Sequence, residues 1–184
     1  MYAEQKEYDR AIEQLKRIPE SDPLFVGARI QSAALYQQQD RKEDALKEIE
    51  RALEARPGDA QLLSYEAALY RDVKRLDKAI AVYRQLIEQE PSNDQYHFRI
   101  GALYDENKQK DLAVQHMQRA IDLNPRNAAA LNYLGYTYAD QGVRLDEAEA
   151  LIRRALTIDP EDGFYIDSLG WLFYQRGEYD KAAG

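Results

Sequence analysis

The sequence predicts an all-α protein, a right-handed superhelical solenoid of antiparallel helix pairs. Three observations predict it. Prolines recur at Pro23, Pro57, Pro91, Pro125 and Pro160, at intervals of 34, 34, 34 and 35 residues. A small-residue series (Ala11, Ala45, Ala79, Ala113, Ala148, Ala182) and an aromatic series (Tyr2, Tyr36, Tyr70, Tyr104, Tyr138, Phe173) keep the same period. No segment alternates apolar and polar residues with a period of two, so no strand is expected. A fixed period of this size marks an array in which each unit buries its apolar face only by stacking on the next.

The period divides the chain into a partial repeat at 1–23, repeats at 24–57, 58–91, 92–125 and 126–160, and a second partial repeat at 161–184. Each repeat reads as helix A, a tight turn, helix B and a turn around proline. Pro57-Gly58-Asp59, Pro91-Ser92-Asn93, Pro125-Arg126-Asn127 and Pro160-Glu161-Asp162 join a helix breaker to a helix cap. Between them, apolar residues recur three and four apart, as in Leu145, Ala148, Leu151, Ile152, Ala155 and Leu156. A break falls midway in each repeat, at Asp40-Arg41, Val73-Lys74, Asn107-Lys108, Gly142-Val143 and Gly177-Glu178. All three series place one extra residue in the fourth repeat, within 141–146. A fourth series, Ala33, Ala67, Gly101, Gly135 and Gly170, supplies small residues where helix A must approach helix B closely. Met1 falls inside a helix A and Gly184 early in a helix B, so the chain is expected to be a piece of a longer protein.

Composition excludes several functions. With 25 Lys+Arg against 33 Asp+Glu the net charge is −8, so the chain has no general attraction for nucleic acid. No run approaches the 18 or so apolar residues that would span a membrane. The absence of cysteine excludes disulfides, thiolate zinc sites and cysteine nucleophiles. His97 and His116 lie 19 residues apart with no i, i+4 partner, so no metal is expected. Ser168 has no nucleophile elbow around it, and no glycine-rich phosphate loop occurs. The acidic run at Asp159, Glu161 and Asp162 lacks calcium-loop spacing and reads as helix capping. No cofactor and no catalysis are expected.

The residues Leu131-x2-Leu134-Gly135-x2-Tyr138, then Ala148, then Pro160, and again Ile166-x2-Leu169-Gly170-x2-Phe173, then Ala182, resemble the tetratricopeptide repeat. The tryptophan that opens that pattern is replaced by Arg29, Leu63, His97, Leu131 and Ile166. A narrower stretch, Ala130 to Tyr136 and Asp167 to Trp171, resembles large bacterial repeat proteins that serve as adaptors in the cell envelope. The resemblance therefore implies an envelope or periplasmic setting, with the cytoplasm as the alternative. It also implies a protein-interaction scaffold that holds a peptide or extended partner segment in a concave groove. In the family that groove is lined by the second, fifth, ninth and twelfth residues of helix A. Here the ninth residue changes from Ala34, Ala68 and Ala102 to Tyr136 and Trp171. The expected partner-binding residues are Phe98, Asn132, Tyr136, Phe164, Asp167, Trp171 and Tyr174, because aromatics beside a few polar groups make binding hot spots. The basic clamp of the chaperone-tail receptors in this family is missing, since the fifth positions are Ile30, Ser64, Phe98, Asn132 and Asp167. The alternative reading is a spacer, or an array that self-associates through its exposed ends into a homo-oligomer.

Overall fold

A computed structural model of the chain describes residues 2–182. Among the described residues there are eleven helices and no strand: α1 Tyr2–Lys16, α2 Phe25–Gln38, α3 Lys42–Ala55, α4 Ala60–Asp72, α5 Leu76–Gln89, α6 Asp94–Glu106, α7 Lys110–Leu123, α8 Ala128–Asp140, α9 Leu145–Ile158, α10 Gly163–Gln175 and α11 Tyr179–Ala182. The chain forms two compact units, residues 1–89 and 90–184. In the first, α2 packs on α3 and α4 on α5; in the second, α6 packs on α7, α8 on α9 and α10 on α11.

Side-chain caps start four of these helices. Asp59 accepts from the backbone N–H groups of Gln61 and Leu62, Asn93 from Gln95, Asn127 from Ala130, and Asp162 from Phe164 and Tyr165. Each cap satisfies a donor that the first helical turn leaves without a partner. Within each pair, one residue in the left-handed region turns the chain: Asp40, Lys74, Lys108, Gly142 and Gly177. For the three non-glycine residues this conformation costs roughly 1–2 kcal/mol each.

A hydrogen bond offsets that cost. The backbone N–H of the next residue donates back across the turn, Arg41 to Tyr36, Arg75 to Tyr70, Gln109 to Tyr104, Val143 to Tyr138 and Glu178 to Phe173, over 2.8–3.0 Å. This is the Schellman closure of a helix C-terminus. The aromatic series thus closes every turn with its carbonyls, while its rings at positions 36, 70, 104, 138 and 173 are buried. The fourth pair carries a second left-handed residue, Arg144 at φ 51°, where the period lengthens.

The small residues set the spacing within each pair. Ala45, Ala79, Ala113 and Ala148 are fully buried. A methyl group on Gly135 would lie 2.7 Å from Ile152 Cγ1 and 2.9 Å from the Ala148 carbonyl oxygen, so only glycine fits there. At Gly101 the nearest atom is Met117 Cε at 3.1 Å, the movable end of a flexible side chain. The core of the second unit gathers Met117, Leu131, Leu134, Ile152 and Leu172, all fully buried. Among the described residues no helix is long and apolar enough to cross a membrane.

Candidate protein-binding face

The second unit exposes a row of aromatics on α8 and α10. Tyr136 is 43% exposed, Trp171 37%, Tyr174 52% and Phe164 80%. For large apolar side chains these values are high, and they distinguish the four from the buried aromatic series. Helical spacing aligns them: Asp167, Trp171 and Tyr174 are four and three residues apart on α10, and Asn132 and Tyr136 four apart on α8. The Trp171 and Tyr174 rings stack, with centroids 5.3 Å apart and planes 14° apart, and Tyr179 of α11 meets Tyr174 edge-on at 5.5 Å. Next to the stack lies an open hollow whose wall includes Ile166, Leu169, Gly170 and Phe173.

The other expected site residues have different surroundings. Asp167 is exposed. Phe98 is half-buried and packs against the core of the second unit, which removes part of its ring from any partner. Asn132 is half-buried, and its Oδ1 is enclosed with no hydrogen-bond partner. Ala139, at the twelfth position of α8, is fully buried, and its neighbour Asp140 is the residue exposed at that level. The carbonyl of Asp140 accepts a 3.5 Å hydrogen bond from Gln175 Nε2, which joins the ends of α8 and α10.

Two tyrosines outside the groove register tie successive first helices together through residues at its twelfth positions, Gln37 and Asp105. The Tyr65 hydroxyl donates to Gln37 Oε1 at 2.6 Å, and Gln37 Nε2 donates to Asp72 Oδ2 at 2.9 Å. Tyr133 makes the equivalent bond to Asp105. Burial first, then the Asp105 charge and hydrogen bond, push its phenol well above the ordinary tyrosine value. Both tyrosines stand 28 residues after their partners, a spacing that the repeat frame contains.

The two histidines, 19 residues apart and not expected to hold a metal, are brought together by the fold. His97 Nδ1 lies 3.1 Å from His116 Nδ1. The ring centroids are 5.4 Å apart, which is that gap plus one ring radius at each end, so the nitrogens face head-on in nearly coplanar rings. His97 Nε2 is 3.3 Å from the Pro91 carbonyl oxygen, which can only accept. Nε2 therefore carries the hydrogen, Nδ1 is the acceptor, and His116 Nδ1–H donates to it. Burial lowers the pKa of His97; the Pro91 bond opposes the shift and the Arg119 charge adds to it. Among the described residues no group of three or more histidine, aspartate or glutamate side chains is arranged to hold a metal.

Capped antiparallel helix pairs with buried small residues at each crossing define the class, a helix-hairpin repeat protein that presents side chains from its first helices. Family models agree. One described as tetratricopeptide repeat matches residues 2–69, one described as TPR repeat matches 67–108, and a second tetratricopeptide repeat model matches 98–163. The chain belongs to the tetratricopeptide repeat family, whose members are protein-interaction scaffolds. Over 56 residues it is 46% identical to a TPR repeat-containing protein of Pseudomonas aeruginosa, and the match covers 30% of this chain and 10% of that protein. The chain thus corresponds to a small part of that relative's length. Among solved structures it is similar to BtubC from P. vanneervenii (TM-score 0.79, 20% identity, 99% of this chain and 86% of that one). It is also similar to MamA (0.71, 20%, 88% of each chain). A third similar structure is YrrB, described as a TPR protein with an unusual peptide-binding site (0.63, 23%, 95% and 86%). At these identities the likeness is one of fold.

Proposed function

We propose that the chain holds an extended segment of a partner protein across the α8–α10 face of its second unit. The observation that carries this reading is the exposed Trp171–Tyr174 stack beside Tyr136. Three large rings left open to water on neighbouring helices form an apolar surface that a partner can cover, while the packed helices beneath keep it preformed and lower the ordering cost of binding. Asn132 and Asp167 supply polar groups along the same face. The peptide-binding site described for YrrB, a protein of the same fold, supports the reading.

The test compares Tyr136→Ala/Trp171→Ala with Gln37→Ala in the first unit. Partners captured from cells that make the protein are identified with the unmodified chain, and their affinities are then measured by calorimetry. The aromatic double variant is expected to weaken binding by about 30-fold or more, the effect of losing a hot-spot side chain. Gln37→Ala is expected to leave it unchanged. Equal affinities for the unmodified and aromatic variants, with helical circular dichroism intact, would show that partners bind elsewhere.

A further inference from the structure

The charge on this face identifies the chemistry of its partner. We infer that the α8–α10 face takes an extended segment bearing more than one arginine, one guanidinium lying on the Trp171–Tyr174 stack beside Asp167 and another meeting Asp140 at the end of α8. The inference rests on the groove reading above and specifies what the groove selects.

Four observations carry it. First, the face is acidic and aromatic, with no basic residue among its expected contact positions on α8 and α10. Asp167 stands one turn from Trp171 on α10, and Asp140 one turn from Tyr136 on α8. Second, both carboxylates are exposed, and no ion pair joins either of them to a cation of the described residues. Third, the nearby cations are already engaged. Arg153 and Lys181 border the hollow beside Trp171, but Arg153 pairs with Glu149 and Lys181 with Glu178. Arg176 pairs with Asp146 and Glu149, and Arg144 with Glu147. Fourth, the α6 side differs, because exposed Arg99 stands where α8 has Tyr133. The acidic aromatic surface is therefore a property of α8 and α10.

A cation fits this surface better than a neutral or anionic group. Tryptophan is the strongest aromatic partner for a cation, and two carboxylates repel a like charge. Arginine fits better than lysine because its planar guanidinium stacks flat on a ring while its edge donates to a carboxylate.

Trp171 is the single tryptophan of the chain, so its fluorescence reports occupancy directly. The experiment titrates the full chain with four short peptides of equal length, glycine-serine sequences carrying arginine, lysine, glutamate or citrulline at the same places. The arginine peptide is expected to give a saturable change in Trp171 emission. The lysine peptide should bind several-fold more weakly, and the citrulline and glutamate peptides more weakly still. Asp140→Asn/Asp167→Asn should weaken the arginine peptide by about 10-fold, the loss of roughly two charge-assisted contacts. The control Asp111→Asn/Asp122→Asn on α7 should leave it unchanged. The charge inference fails if the glutamate peptide binds as tightly as the arginine peptide, or if the α7 control loses as much affinity as the groove variant. Citrulline binding equal to arginine, and lost in Tyr136→Ala/Trp171→Ala when heat of binding is measured by calorimetry in place of tryptophan emission, overturns the inference while the groove reading stands. No saturable change with any peptide overturns both.

Discussion

Arg29 with Glu48 in the first unit and His97 with His116 in the second occupy the same place in their helix pairs. Each is a first-helix residue joined to a second-helix residue 19 positions later. In the first, Arg29 Nη1 reaches Glu48 Oε1 at 3.1 Å, its Nη2 donates to the Lys16 and Ile18 carbonyls, and Lys16 Nζ adds a 3.0 Å contact to Glu48. In the second, His116 Nδ1–H donates to His97 Nδ1 across 3.1 Å. In the α4–α5 and α8–α9 pairs the corresponding residues are Leu63 with Val82 and Leu131 with Leu151, all buried. The slot therefore needs two side chains that fill it and satisfy one another, and an ion pair, a hydrogen bond or an apolar contact all meet that need. The solutions differ in what breaks them.

The largest effect is expected from Arg29→Ala. It leaves Glu48, whose side chain is 5% exposed, with Lys16 as its remaining partner and frees two helix-end carbonyls. A loss of about 3 kcal/mol follows, the low end for breaking a buried pair because Lys16 stays. Urea unfolding measures it, and hydrogen exchange should place the loss in α2 and α3 with α8 to α10 spared. A change below about 0.5 kcal/mol, the size of an ordinary surface substitution, would show that water already screens the pair.

Acid should single out the other pair. An imidazole with a folded-state pKa below its unfolded value of 6.5 binds more protons when unfolded, so stability rises with pH. The contribution of His97 is complete above that unfolded value and is lost as pH falls through the lower folded one. Protonation places a charge on this buried ring near the Arg119 charge, which is the cost that lowers its folded-state pKa. Hydrogen exchange near pH 8 and near pH 5 should show α6 and α7 losing protection selectively. Equal losses in α2 and α3 would remove the distinction between the two slots.

The smallest effect sharpens the comparison. His97→Leu/His116→Val places the residues of the α4–α5 slot into α6–α7. Stability near pH 8 should stay within about 1.5 kcal/mol of the unmodified chain, as for swaps that keep volume. The acid sensitivity of α6 and α7 should disappear. If it persists, another group titrates there.

Much of the fold was legible because local chemistry repeats. The prolines, the Asp and Asn caps and the left-handed turn residues act over a few positions, so one sequence period exposes all of them. The aromatic series was legible as packing, although its second task, closing each turn through its carbonyls, lies in the backbone and leaves no trace in residue type. The candidate binding face was legible in part. Helical spacing aligned Tyr136, Trp171 and Tyr174, and their rings are exposed. The same register placed Phe98 and Ala139 outward, where Phe98 packs against the core and Ala139 is buried, because a small change in helix rotation exchanges neighbouring positions such as 139 and 140.

The sequence by itself determined that this chain forms capped antiparallel helix pairs of the tetratricopeptide type, because propensity, capping and close crossing depend on residues near one another or on an unbroken period. Only the tertiary structure decided which side chains meet across helices and which stay wet. His97 and His116 form a pair only because α7 folds back against α6, and Trp171 stays open while Phe173 is buried because they point to opposite sides of α10 and the neighbouring helices cover one side more fully. Contact and exposure are properties of assembled surfaces, and identical residue types two positions apart can fall on either side of that boundary.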